Sequence, residues 1–98
     1  MNKYKIKKSK KLDICGNIIF KSNGNINLHI IIKNIDYFLE GNRRYKNNKP
    51  YWELLSENDI VGEIFINFYQ TYIGYFTIDD ILYRFRSARP EKIVIRKG

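Results

Sequence analysis

The chain is poor in the residues that most often do chemistry. It holds one cysteine, Cys15, and one histidine, His29, among 98 residues. A single thiol excludes an intramolecular disulfide and fits a reducing, cytoplasmic setting. A transition-metal site draws on three or four such ligands, so no metal is expected. The hairpin register read below sets Cys15 and His29 on opposite faces, and a thiol within an apolar strand is the inert kind. The glycines at 16, 24, 41, 62, 74 and 98 match neither phosphate-loop nor dinucleotide spacing. Glu53, Glu57, Glu63, Asp79 and Asp80 supply carboxylates. Acid–base catalysis needs two of them held across a cleft with their pKa values driven apart, and Asp79-Asp80 reads as a turn dipeptide instead. Neither a cofactor nor an enzymatic activity is expected.

Long apolar runs are missing too. Ile30 to Ile32 is typical, against the ~20 residues of a membrane-spanning helix. The basic residues 1–11 are followed by Asp13, Gly16 and Asn17, which interrupt any secretory apolar core. The expectation is one soluble domain over residues 1–98, with no membrane partner.

What the chain does have is positive charge, +8 net, and aromatic rings, 15% of residues. Such a balance points to polyanions. Composition bias offers a second explanation for part of it, because Ile, Lys and Asn supply 17, 12 and 11 residues, as AT-rich coding DNA would. The six arginines are not explained that way and weigh more. Charge is also segregated: residues 1–50 carry twelve Lys/Arg against three acids, residues 51–81 carry six acids and no Lys or Arg, and residues 82–98 carry six basic residues against Glu91. A molecule with a basic side follows from this layout.

Strand signals dominate the pattern. Residues 1–11 form a basic arm or edge strand, in which Tyr4 and Ile6 alternate with lysines that blunt the edge. Asn23-Gly24 reads as a two-residue type I′ hairpin turn, pairing Phe20 with Asn27, Ile19 with Leu28 and Ile18 with His29. Ile35 to Glu40 reads as one short helical turn capped by Gly41. Residues 41–50 then read as a basic loop ended by Pro50. From Tyr51 onward the pattern is strand after strand. Ile64, Ile66 and Phe68 are set inward, Phe65 and Tyr69 outward, and 92–97 closes the chain as a last strand. The fold class expected is an all-β or β-dominated small antiparallel barrel or sandwich, comparable to the oligonucleotide-binding and SH3-like barrels.

A two-residue turn at Asp79-Asp80 sets Tyr75 opposite Arg84 and Ile73 opposite Arg86, on the face away from Phe76, Tyr83 and Phe85. Rings beside guanidinium groups suit single-stranded DNA or RNA: bases stack on the rings and phosphates sit on the cations. The candidate nucleic-acid contacts are Tyr75, Arg84, Arg86 and Arg89, joined by Arg43, Arg44 and Lys46 from the basic loop. The competing expectation is a protein-interaction module, of the size and composition of a phage or mobile-element product that inhibits an intracellular host defence complex. Phe65, Tyr69 and Tyr72 would be its exposed contact patch. Under either reading a homodimer is possible, by docking acidic 51–81 on the basic ends or by pairing an open strand edge.

Overall fold

The computed structural model describes residues 3–7, 13–66 and 71–88. Eight strands follow one another: β1 (Lys3–Lys5), β2 (Ile14–Phe20), β3 (Ile26–Ile32), β4 (Ile35–Lys46), β5 (Lys49–Ser56), β6 (Asp59–Ile66), β7 (Tyr72–Ile78) and β8 (Ile81–Arg86). They form one antiparallel sheet in the order of the chain. The sheet curls until its edges meet. Ile6 bridges Ser87, with Lys7 N–H donating to the Arg86 carbonyl and Ala88 N–H to the Lys5 carbonyl. The small antiparallel β-barrel expected from the sequence is therefore what the chain builds, as an eight-stranded meander. No helix occurs among the described residues, and so none long and apolar enough to cross a membrane.

Tight turns make the meander possible. Lys33-Asn34, Asn47-Asn48, Glu57-Asn58 and Asp79-Asp80 all have positive φ at both positions, the conformation of a type I′ turn, whose twist matches that of the strands it joins. Asparagine and aspartate tolerate this left-handed backbone better than other non-glycine residues. Part of the asparagine content thus has a structural use, beyond any coding bias.

The Asn23-Gly24 hairpin exists, but with a three-residue loop. Only Gly24 has positive φ there, at 89°. Gly24 N–H donates to the Lys21 carbonyl and Lys21 N–H to the Asn25 carbonyl, as in a type I turn followed by a left-handed glycine. The register shifts by one residue, so Ile18 faces Leu28 and Asn17 faces His29. A one-residue slip exchanges faces. Ile14 and Ile18 consequently join Ile26, Leu28, Ile30 and Ile32 in the interior, while Cys15 and His29 share the outer face.

Residues 35–40 are strand and not a helical turn, and residues 41–50 are the end of β4, a two-residue turn and the start of β5 and not a loop. The physical reason is tertiary. β3 needs a partner on its second edge, and β4 supplies it through Ile32↔Ile35 to Ile26↔Gly41 before pairing with β5 through Glu40↔Leu55 to Lys46↔Lys49. Following the register once round the barrel from Tyr37 leads back to β4 at Tyr45, eight residues further on. This stagger is why β3 and β5 attach to different halves of the twelve-residue β4.

The interior is filled by side chains, as an eight-stranded barrel of this kind requires. β2 and β3 contribute isoleucines and Leu28, while β5 to β8 contribute Trp52, Leu54, Ile64, Phe76 and Phe85. Tyr4, Phe20, Trp52 and Tyr72 form a ring cluster, mostly edge-to-face, with centroids 5.0–5.7 Å apart, a geometry favoured by the ring quadrupoles. The Trp52 indole N–H donates to the Gly24 carbonyl at 2.8 Å, tying β5 to the β2–β3 turn.

Candidate nucleic-acid interface

Strand alternation sorts the candidate residues between two faces. On β4 the even positions point outward with Arg44 and Lys46, so Arg43 cannot join them. Arg43 lies instead on the interior side at the barrel end, its guanidinium against Gly24 and 5.6 Å from the Tyr45 ring. Its backbone N–H donates to Asn25 Oδ1. Its role there is to close the turn.

Tyr72 also leaves the candidate set. It belongs to the interior ring cluster, half-buried, and its phenol pKa is raised by burial first and by the neighbouring Tyr4 second. Positions 72, 74, 76 and 78 of β7 share the inward parity, with Gly74 and Phe76 buried. Phe65 does face outward, while Ile66 keeps the inward parity expected of it, opposite Tyr72, but is 41% exposed because it lies at the end of the barrel. Arg89, Phe68, Tyr69 and the expected strand 92–97 lie outside the described residues.

What remains is a grid on the outer face of β4 to β8. One row runs Arg44, Tyr51, Phe65, Ile73, Arg86 across five strands. The next runs Asn42, Glu53, Glu63, Tyr75, Arg84. Beyond the first row, at the barrel end, Lys46 stands directly opposite Lys49. Four strand spacings make each row about 19 Å long. The register of the Asp79-Asp80 hairpin is the one expected, Tyr75 with Arg84 and Ile73 with Arg86. Tyr51, which the sequence reading misses, and Lys49, the last cation of the expected basic loop, are members of this surface. The alternation of β5, with Trp52 and Leu54 inside, is the signal that places them outside.

The electrostatics are mixed. Glu53 and Glu63 face one another across β5 and β6, an unfavourable like-charge pair. Arg44 relieves Glu53 by a 2.7 Å contact from Nε to Oε1. The Tyr75 hydroxyl relieves Glu63 by donating to its carboxylate, and that bond is the first cause of a raised Tyr75 pKa, ahead of burial and the carboxylate charge. Tyr75 is 37% exposed, its hydroxyl committed to Glu63 on β6. Lys46, Lys49, Arg84 and Arg86 make no ion pair among the described residues. Shallow apolar grooves lie between them, one along Lys46, Lys49, Tyr51 and Phe65, another along Phe65, Ile73, Leu82 and Arg84.

Around the barrel, on the outer face of β2 to β4, His29 Nε2 lies 2.6 Å from Asp36 Oδ1 and its ring stacks on Phe38 at 4.5 Å. Among the described residues no three His, Cys, Asp or Glu side chains are grouped to hold a metal ion. No family model, curated protein or solved structure matches the chain.

Proposed function

We propose that this protein is a non-enzymatic binder of single-stranded DNA or RNA, gripping backbone through the outer face of β4 to β8. The observation behind the reading is the row with Arg44 and Arg86 at its ends and Tyr51 and Phe65 between them. A ring offers every base a stacking surface worth ~1–3 kcal/mol, and the cations hold phosphates at the ends and along the Lys46–Lys49 side. Glu53 and Glu63 repel a polyanion from the neighbouring row, which keeps its path on the lysine side. Tyr75 serves at the margin, as the ring beside Arg84. The setting proposed is cytoplasmic, consistent with the free thiol of Cys15.

The test is fluorescence anisotropy with labelled single-stranded and duplex oligonucleotides at low salt. Single strands are expected to bind more tightly than duplex. Arg84→Ala and Arg86→Ala each weaken binding by about tenfold, the loss of one charge-assisted phosphate contact. If the wild-type protein leaves every oligonucleotide free at low salt, the reading fails.

A second reading is carried by the apolar groove of Phe65, Ile73 and Leu82 beside the two glutamates. Arginine, aromatic and aliphatic groups with interleaved carboxylates also make a protein contact surface. The partner would be an intracellular complex, with a phage or mobile-element inhibitor of host defence as the type case. Capture from nuclease-treated lysate separates the two, since a stoichiometric protein that survives the nuclease and is lost with Phe65→Lys supports this alternative.

A further inference from the structure

β4 is paired on both sides only near its middle. Ile35 to Gly41 pair with β3, whereas β5 joins at Glu40. On the β5 side, residues 35–39 therefore have no strand partner among the described residues. The direction of the free backbone groups follows from the turns. Residues flanking a two-residue hairpin loop exchange both hydrogen bonds, so Ile35, Tyr37 and Leu39 point their N–H and C=O groups at β3, behind the Lys33-Asn34 turn. Arg44, Lys46 and the other even positions point theirs toward the β5 side. The groups left without a partner among the described residues are those of Asp36 and Phe38. Around them Ile35 is 56% and Phe38 73% exposed.

We propose that this edge pairs with the same edge of a second copy of the chain, about a two-fold axis through Tyr37. The register is constrained. A two-fold axis perpendicular to the sheet keeps each side chain on its own face, so only axes through a residue are allowed. An axis through Asp36 sets that carboxylate against itself. One through Phe38 sets Asp36 against Glu40 of the second copy, whose backbone groups already serve β5. An axis through Tyr37 puts Asp36 opposite Phe38 of the second copy and the reverse. All four open N–H and C=O groups of each chain are then used, and no like charges stand opposite one another. The exposed Phe38 rings, each stacked on its own His29, become covered at the junction.

The contact is short, so the dimer is weak and concentration-dependent. Each copy carries +8, and added salt screens their repulsion and strengthens the dimer. Docking of acidic on basic segments has the opposite salt dependence. The edge is independent of the arginine–aromatic face on β4 to β8.

The experiment is sedimentation velocity over a concentration series at two salt concentrations. Dimer that increases with protein and with salt is expected. Phe38→Pro removes an N–H that points away from β3, which an edge strand tolerates, and Phe38→Lys puts a charge on the junction. Each is expected to raise the dissociation constant by about tenfold or more while the far-ultraviolet circular dichroism stays that of the wild type. Phe65→Lys, two strands away on β6, leaves it unchanged. A protein monomeric throughout, a dimer that weakens with salt, or a dimer indifferent to both Phe38 substitutions overturns the proposal.

Discussion

Tyr75 shows how one side chain can be placed correctly by alternation yet be engaged differently from what its neighbour suggests. Period-two spacing is enough to set it beside Arg84, and the register agrees. Its hydroxyl, however, goes to Glu63 on the opposite strand, a contact invisible until β6 is docked at Glu63↔Tyr75. The consequence is measurable. The Tyr75 phenol titrates above the usual value of about 10, because the neutral hydroxyl is the donor to the carboxylate. A group with a raised folded-state pKa stabilises the fold below the unfolded value, and that stabilisation disappears as pH rises through the folded one. An ultraviolet phenolate titration should show this tyrosine returning toward about 10 in Glu63→Ala. The bond belongs to the neutral form, so its contribution is intact at neutral pH and declines only in the alkaline range. An unchanged titration in Glu63→Ala contradicts the assignment.

At the scale of the element, turns decide what is legible. Asp79-Asp80 reads correctly because a two-residue loop leaves only one pairing for Ile78 and Ile81. Asn23-Gly24 is visible as a turn but gives the wrong register, since the same dipeptide also serves a type I turn with a left-handed glycine, and only the chain's pairing chooses between them. Lys33-Asn34, Asn47-Asn48 and Glu57-Asn58 escape a sequence reading because local propensity alone does not force them left-handed; Asp79-Asp80 lacks glycine too and is legible from the strand patterns on either side of it. Without the Asn47-Asn48 turn, Arg43 and Arg44 fall into one loop cluster instead of on opposite faces of one strand. Two substitutions test the role of these backbone positions. Asp80→Gly relieves a non-glycine residue at φ 63° and should stabilise the protein by roughly 0.5–1 kcal/mol in urea unfolding. Gly62→Ala should do the reverse. Its Cβ would meet the Tyr75 carbonyl, a backbone atom across the β6–β7 pair, so a loss of about 2 kcal/mol or more is expected.

For the whole molecule, a meander keeps the charge order of the chain in space. The acidic stretch 51–81 is β5 to β7, which lie between β4 and β8, and closing the meander brings the end of β8 against β1, basic segment to basic segment. On the outer face of β4 to β8, two flanks of cations therefore have glutamates between them. On the outer face the cations free of ion pairs among the described residues include Lys46, Lys49, Arg84 and Arg86 on these five strands, four of the chain's eighteen. With about 0.7 counterion released per phosphate contact on a single strand, log K should fall with log salt at a slope near about −3. Roughly six contacts would give a slope near about −4. Glu63→Gln then gives an independent check, because glutamine keeps an acceptor for the Tyr75 hydroxyl while removing the charge. Binding should tighten several-fold at low salt, from lost repulsion, with the slope unaltered because the number of phosphates held is the same. A steeper slope would move the contacts onto cations outside this face. If Glu63→Gln has no effect, the nucleic acid does not pass beside that row, and the path along Arg44, Tyr51, Phe65 and Arg86 is wrong.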